Sequence, residues 1–466
     1  MDAENRPARN LKISFSPSAG KPVAAKPGKA FRFNAMRDLW SGMPNRAASR
    51  DEQIGTAERF GDRFAERRES VSLAWMNGAV VSVAQGLRHG CATRWIRRDG
   101  TVRFESHDSG GGGALDAAGD QAVGEEILSA AAYLSLVREE AAAEPGEPLD
   151  VRAQGHFYRQ RVAHDREGKQ VVDDRRGAWI EIRAVIPDGG MASQRLAAAD
   201  MAGIGARRPA ALVGRVLARR CREMAGARVK LSGDFPVVLA AGGCEAFLHE
   251  IGHGFEGALA RGPWGGWEPG ARVASAAITL VDDPAGAWDG RGRYRIDDEG
   301  VAPSRALLVE RGRIAGRVRS CSTLADGTFA SGTGHGRRAS YRDLPLARMA
   351  CTILEPGGDD PALIVSGTPR GVFVRSLGSG SMDPESGRVT LSVTEAFMIE
   401  RGCITRPLAP SFLVGDVASM LAAIDAVGSD FAFDHGATNC VSSDQQLPVM
   451  VGLPTIRIGM IKVISP

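Results

Sequence analysis

The sequence lacks several features that would place the protein in a specialised class. No run of about 18 apolar residues occurs in the 466-residue chain, so we expect no membrane-spanning helix. The seven cysteines are scattered and form no Cys-x-x-Cys pair, which argues against a disulfide framework. The net charge is only +3, which does not indicate nucleic-acid binding. No apolar run follows the basic N-terminus, as it would in a secretory signal, and a cytoplasmic location is expected by default.

The length of the chain predicts more than one domain, because a single hydrophobic core seldom serves so many residues. Residues 1–50 are rich in Pro, Lys and Arg, and we interpret them as a flexible basic arm. We predict an α+β fold with two domains, residues 51–210 and residues 211–466. The N-terminal domain is expected to be an antiparallel sheet with helices. The C-terminal domain is expected to be strand-rich, either barrel-like or one large antiparallel sheet, and to carry the helix described below.

Local patterns predict individual elements along the chain. Apolar and polar residues alternate around Asn77-Gly78, which is typical of a β-hairpin turn. Segments with helical periodicity are expected to form helices, and short runs of β-branched residues are expected to form strands. The predicted helices cover residues 125–143, 210–225 and 409–426, and a buried strand covers residues 235–239.

The strongest functional signal is the stretch that contains His249, Glu250 and His253. On a helix, residues four positions apart share a face, so both imidazoles can bind one metal ion. Glu250 then lies beside the first ligand. This is the HExxH arrangement, in which zinc acidifies a water molecule and the glutamate takes its proton. The alternative is a surface helix with two incidental histidines. Gly252 and Gly254 favour the metal site, because a helix weakened by glycine is better explained when a ligand compensates.

A catalytic zinc ion needs a third protein ligand. Glu256 is the local candidate, since it follows His253 by three residues. His335, His435 and Cys440 are the remote candidates, and Cys440 has the alternative of being a buried, inert thiol. The spacing of residues along the chain does not choose among these four.

Several blocks of the sequence resemble the TldD/PmbA family of metallopeptidases. They occur in the family's order over roughly residues 60–464, which makes the resemblance specific. The blocks are the first strands at residues 64–83, Phe235-Pro236-Val237-Val238-Leu239, the motif helix ending Gly252-His253-Gly254-Phe255-Glu256-Gly257, Ile296-Asp297-Asp298-Glu299-Gly300, Gly336-Arg337-Arg338-Ala339-Ser340-Tyr341 with Pro345 and Arg348-Met349, residues 392–399 with Gly402, and Asn439-Cys440 followed by Gln446-Leu447-Pro448-Val449.

The resemblance implies a zinc metallopeptidase in which His249, His253 and Cys440 bind the metal and Glu250 is the base. It also implies pairing with a related subunit that lacks the metal residues, and action on unfolded or short peptides. Some members trim ribosomally made peptide natural products. One departure is clear, because the family motif is HExxxH and this chain has HExxH. We expect metal binding to survive, since a spacing of four suits two ligands on one helical face.

Four residues are candidate substrate contacts: Arg337, Arg338, and also His335 and Glu256, which are candidate ligands as well. The two arginines could bind a substrate carboxylate, although a solvated pair of charges is an equally good interpretation. The acidic run at residues 297–299 lacks the alternating ligand pattern of a calcium loop, so we prefer a structural turn over a second metal site.

The function expected from the sequence is zinc-dependent hydrolysis of flexible peptides. The alternatives are a metal-free scaffold subunit of a peptidase heterodimer, and a zinc amide hydrolase that acts on a non-peptide natural product. We expect a homodimer, or a heterodimer with a metal-free relative, and we expect neither a nucleic-acid partner nor a membrane partner.

Overall fold

The computed structural model describes residues 58–97, 101–108, 117–166, 168–187, 189–226, 228–257, 267–286, 291–321, 332–434 and 439–466. The predicted basic arm at residues 1–50 and the candidate ligand His435 lie outside these ranges. No helix within them is long and apolar enough to cross a membrane.

The first half of the chain forms one sheet and three helices. In chain order the elements are β1 (Glu58–Met76), β2 (Ala79–Arg97), β3 (Val102–Asp108), α1 (Ala117–Ala143), β4 (Asp150–Arg166), β5 (Lys169–Val185), β6 (Met191–Ala198), α2 (Met201–Arg207) and α3 (Ala210–Glu223).

The six strands of the first sheet lie in the order β3-β2-β1-β4-β5-β6, and every neighbouring pair is antiparallel. Strands β1 and β2 form the predicted hairpin, in which Asn77 and Gly78 take positive φ angles of 47° and 104°. One face of the sheet is apolar because alternate residues of each strand point the same way. Trp75 of β1 packs there in one buried cluster with Leu134 of α1 and Leu217 of α3.

The second half contains the remaining elements. In chain order they are β7 (Ser232–Leu239), α4 (Glu245–Gly252) with a 3₁₀ turn (His253–Phe255), β8 (Leu280–Asp282), β9 (Ala306–Glu310), β10 (Arg313–Ile314), β11 (Gly336–Arg337), β12 (Leu346–Ala347), β13 (Cys351–Leu354), α5 (Pro361–Ser366), β14 (Arg370–Met382), β15 (Arg388–Glu400), β16 (Cys403–Pro407), β17 (Ser411–Asp416), α6 (Val417–Ala422), β18 (Ile424–Val427), β19 (Ala432–Asp434), β20 (Asn439–Ser442), β21 (Gln445–Pro448), β22 (Met450–Leu453) and β23 (Ile456–Ile464).

Five strands of the second half close into a barrel. The pairings run β14-β7-β23-β17-β15, and β15 pairs back with β14. Only β14 and β7 are parallel. Strand β16 extends the barrel from β15, and β18 pairs with β23. The second half is therefore strand-rich and contains a barrel, as the sequence predicts.

A second sheet in this half lies in the order β10-β9-β8-β13-β22-β19. Helix α4 packs near the barrel, and its Phe247 and Ile251 join a buried cluster with Val374 of β14 and Leu391 of β15. The apolar face of α4 therefore fixes the position of its histidines relative to the barrel wall.

The prediction of a helix over residues 409–426 is wrong for most of that segment. Strand β17 occupies its beginning, and only the six residues of α6 are helical. The reason is tertiary, because Leu413 pairs with Leu391 of β15 on one side and with Val463 of β23 on the other. Closure of the barrel requires a strand at this position, and Asp416 then caps α6 by accepting a hydrogen bond from the Ser419 N–H.

Buried ion pairs join the first sheet to the second half. Arg94 of β2 donates to Asp62 of β1 and to Glu299, and its side chain is about 1% exposed. Arg175 of β5 donates to Asp298 at 2.7 Å. The acidic run at residues 297–299 thus lies between the two halves and accepts hydrogen bonds from arginines of the first sheet. The domain boundary at residue 210 stays a prediction; α3, which follows that boundary, packs in the cluster of the first sheet.

Candidate metal centre

Helix α4 carries His249, and His253 follows as its C-cap, at the start of the 3₁₀ turn. The N–H of His253 bonds to the carbonyl of His249, and the φ and ψ angles of His253 are −56° and −30°. The chain therefore continues with helical geometry from one histidine to the next, one turn apart. The short HExxH spacing of this chain is accommodated by the last turn of α4 and its C-cap residue.

The structure brings Cys440 of β20 to these two histidines. One ligand atom from each of His249, His253 and Cys440 lies within 4.8 Å of the others, and all three residues are buried. The imidazole rings are 4.9 Å apart at an angle of 79°. The distance from Cys440 Sγ to His253 Nε2 is 3.6 Å. Two imidazoles and a thiol in this arrangement are a donor set that suits zinc.

Two further buried side chains fix the orientation of these groups. Glu256 Oε2 lies 2.9 Å from His253 Nδ1, which directs Nε2 of that ring toward Cys440. Arg348 donates to Cys440 Sγ at 2.8 Å and to the Cys440 carbonyl at 3.1 Å. Glu256 also accepts a hydrogen bond from the Met349 N–H. A carboxylate behind a ligand histidine is the usual means by which metal sites hold the imidazole in one tautomer.

The pKa values of the two histidines are shifted in opposite directions. Burial lowers the pKa of His249 well below its ordinary value, and the neighbouring His253 and Arg348 lower it further. A neutral His249 keeps a lone pair for a metal, and its buried Nδ1 has no hydrogen-bond partner. Burial also lowers the pKa of His253, but Glu256 and Cys440 together raise it well above its ordinary value. The surroundings of His253 therefore attract positive charge.

Glu250 lines a cleft of about 870 Å³ together with both histidines. Burial raises the pKa of Glu250, while His253 lowers it and Glu256 raises it further. The other walls of the cleft come from β5 and β6 of the first sheet and from β14 and β20 of the second half. Residues of these walls include Trp179, Glu181, Arg183, Arg195, Gly378, Ser379, Gly380, Ser381, Met382, Asn439 and Val441.

Gly380 of β14 lets the Glu250 side chain lie directly against the strand. A Cβ atom at this position would stand 2.7 Å from both Cγ and Oε1 of Glu250. We expect Gly380→Ala to displace the Glu250 carboxylate. If this carboxylate acts as the general base that the sequence predicts, kcat should fall by about tenfold or more, because catalytic groups tolerate displacements of only about 0.5 Å. The content of bound metal should stay as in the wild type. Steady-state kinetics and metal analysis check both expectations.

A matched control for this variant is Gly205→Ala in α2, where an added Cβ meets no atom within 4 Å. The control should keep the wild-type kcat. Equal rates for Gly380→Ala and Gly205→Ala would contradict the role that we give to this close contact.

The four candidate substrate contacts lie elsewhere. His335 is fully buried and its Nε2 lies 3.1 Å from Asp282 Oδ1. Arg337 donates to the carbonyls of Met349 and Pro448. Arg338 is 3% exposed and donates to the Asp298 carbonyl. None of these three, nor Glu256, lines the cleft. Their side chains are buried in internal networks, which favours structural roles, and a contact with substrate stays a prediction.

Sequence reasoning gives no role to Arg348 or Gly380. Arg348 belongs to one of the sequence blocks that resemble the family, which could have marked it as important. That block does not indicate the contact of Arg348 with Cys440, which lies 92 residues away. Gly380 lies in a segment where nothing in the sequence indicates function, and only the approach of Glu250 reveals its importance.

Comparison with known proteins points to one family. Residues 232–465, half of the chain, match the model of the PmbA/TldA metallopeptidase C-terminal domain. A metalloprotease TldD homolog of Buchnera aphidicola is 33% identical over 235 residues, 50% of this chain and 48% of that protein. A zinc metalloprotease TldD homolog of Saccharolobus solfataricus is 26% identical over 238 residues, 50% of this chain and 52% of that protein. These matches therefore span about half the length of each curated relative.

Solved structures share the fold. The crystal structure of TldE from Thermococcus kodakarensis superposes with a TM-score of 0.66 and 16% sequence identity. The superposition covers 87% of this chain and 96% of that one. At this identity the likeness concerns the fold alone, and it extends beyond the matched C-terminal half.

Proposed function

Since this chain belongs to the TldD/PmbA family of metallopeptidases, we propose that it is a zinc-dependent peptidase that cleaves unfolded or short peptides. Trimming of a ribosomally made precursor would be one such activity. The observation that carries the proposal is the convergence of His249, His253 and Cys440 beside Glu250 in one cleft. A subunit that served only as a scaffold would have no need of this arrangement.

In this proposal each residue has a separate task. His249, His253 and Cys440 hold the metal, and Glu256 and Arg348 keep two of these ligands oriented. A zinc ion supplies a Lewis acid that polarises the scissile carbonyl and lowers the pKa of water. The Glu250 carboxylate accepts a proton from the attacking water and delivers it to the departing amine.

The walls of the cleft support a preference for extended chains. The pairing of β14 with β15 shifts register between Leu377 and Gly380, so the backbone of this segment departs from the regular ladder where it lines the cleft. An extended peptide can pair with such backbone through its own N–H and C=O groups, largely independently of its side chains. A folded protein does not present its backbone in this way.

We also propose that the protein works as a dimer, either with a second copy or with a related metal-free subunit. The first sheet ends at strands β3 and β6, and sheet edges pair readily with other chains unless they are covered. A second subunit would both cover an edge and enclose the cleft against folded proteins.

Digestion of one protein before and after unfolding tests the proposal. We expect the zinc-loaded enzyme to cleave a reduced and alkylated substrate at least about tenfold faster than the same substrate when folded, because only the unfolded chain can enter as a strand. A chelator should stop cleavage, and added zinc should restore it. Mass measurement on the same preparation should give a dimer or a heterodimer.

Equal cleavage of both substrate forms by a monomer would contradict the proposed substrate class. A purified protein that contains no metal and cleaves neither form would instead favour the scaffold role.

A further inference from the structure

A second cavity of about 910 Å³ adjoins the metal cleft. Its floor is a face of the first sheet, and its roof consists of loops and of strands β20 and β21 from the second half. Trp179 and Asn439 line both this cavity and the metal cleft, so the two spaces meet at these residues. Asn439 directly precedes the proposed ligand Cys440.

The floor of this cavity is open at its centre and basic at one end. Ser70 of β1 lies opposite Gly86 of β2, and these small residues leave space above the sheet. Arg68 lies opposite Arg88 on the same strands. Like charges directly opposite each other on a sheet repel, and the single buried carboxylate of Glu66 attracts both arginines.

The two floor arginines differ in their partners. Arg88 donates to the Ala339 carbonyl and lies 3.8 Å from Glu66. Arg68 has no carboxylate within ion-pair distance among the described residues, and its guanidinium lies over the Tyr158 ring at 4.5 Å. The aromatic ring holds the cation in place without neutralising it.

The roof contributes a third arginine that is almost completely buried. Arg291 is 4% exposed, and its buried Nε has no hydrogen-bond partner. Its Nη2 donates to Asn439 Oδ1, a neutral acceptor. Burial lowers the pKa of Arg291 to about 10, and repulsion from Arg68 and Arg337 contributes to the shift. A buried cation without a carboxylate partner is costly unless a ligand supplies the negative charge.

The acidic residues of the cavity are placed differently. Asp343 accepts a hydrogen bond from the Ser340 hydroxyl, and Asp444 is exposed. Neither forms an ion pair with Arg68 or Arg291 among the described residues. Glu66 attracts Arg68 and Arg88, whereas no carboxylate contributes to the pKa shift of Arg291. The positive charge of the three arginines therefore exceeds the negative charge of the one buried carboxylate, and part of it is available to an anion that enters the cavity.

We propose that Arg68 and Arg291 form a subsite that binds a carboxylate of the peptide substrate. The inference rests on the proposed peptidase function and names a feature of its substrate. A peptide that lies in the metal cleft reaches the subsite past Trp179 and Asn439, and the carboxylate belongs to its C-terminus or to an acidic side chain. Guanidinium groups suit this role because their donors match the two oxygens of a carboxylate.

Two pairs of matched peptides test the subsite and distinguish the two sources. One pair differs only in a C-terminal acid or amide, and the other only in an internal Asp or Asn. We expect the KM of the zinc-loaded wild type to be about tenfold or more lower for the carboxylate member of one pair than for its neutral partner. Charge-assisted hydrogen bonds typically contribute a difference of this size. The pair that shows the preference tells whether the bound carboxylate is the C-terminus or an acidic side chain.

The variant Arg291→Gln should reduce this preference to nearly one, and Arg68→Gln should reduce it several-fold. Arg293→Gln is the matched control, because Arg293 is exposed two residues away, and it should keep the full preference. The readout is the ratio of the KM values of the two peptides in a pair. A general loss of folded or metal-loaded enzyme does not alter this ratio.

Equal cleavage of both members of both pairs would overturn the subsite and leave the peptidase proposal standing. A preference that survives in both arginine variants would also overturn it. Cleavage of none of the four peptides would overturn the proposed function and the subsite together.

Discussion

The Glu250→Gln variant is expected to bind zinc as the wild type does and to lose about a hundredfold or more in kcat. Glutamine keeps the shape of the side chain, so α4 and the nearby histidines should stay in place. It cannot accept the proton of the attacking water, and a positioned general base typically contributes about 10²–10⁴-fold. Metal analysis and steady-state kinetics on one unfolded substrate measure the two quantities.

The control for this experiment is Glu310→Gln, which changes an exposed carboxylate of β9 in the same way. The control should keep both zinc and activity. Turnover in Glu250→Gln close to that of Glu310→Gln would show that another group takes the proton.

A large loss of bound zinc is expected when the third proposed zinc ligand, Cys440, is removed. We expect Cys440→Ala to lower zinc content from about one ion per chain to a small fraction, because two imidazoles alone are an incomplete site. Glu256→Gln should weaken zinc binding by about 10–100-fold, the usual effect of removing a group that orients a ligand. Zinc content after dialysis at a fixed free zinc concentration separates these outcomes.

Cys351→Ala is the matched control for the cysteine, since Cys351 is equally buried but does not belong to the cluster of His249, His253 and Cys440. It should keep its zinc. If zinc content were unchanged in Cys440→Ala but fell sharply in Glu256→Ala, the third ligand would be Glu256 and our assignment would be wrong.

Local patterns predicted those parts of the fold that depend on neighbouring residues. The turn at Asn77-Gly78 follows from the ease with which these residue types adopt positive φ, and helix α3 follows from its periodicity. The segment at residues 409–426 was predicted wrongly because its apolar residues suit a helix or a strand. Closure of the barrel decided between them.

The candidate site likewise contains some residues that local sequence patterns reveal and others that only long-range contacts bring together. The pair His249 and His253 is readable from a spacing of four, because helical geometry continues from His249 to the C-cap residue His253. Cys440 lies 187 residues from His253, so only the family resemblance connected them before the structure did. The pair Arg337 and Arg338 suggests either a carboxylate contact or two solvated charges, yet long-range hydrogen bonds bury both side chains. Arg291 gave no local signal at all.

X-ray absorption at the zinc edge of the purified, zinc-loaded protein tests the central claim most directly. The account predicts one sulfur ligand at about 2.3 Å and two imidazole nitrogens at about 2.0–2.1 Å. The sulfur signal should be absent from any zinc that remains in Cys440→Ala. A wild-type spectrum that contains only nitrogen and oxygen ligands would contradict the proposed site of His249, His253 and Cys440.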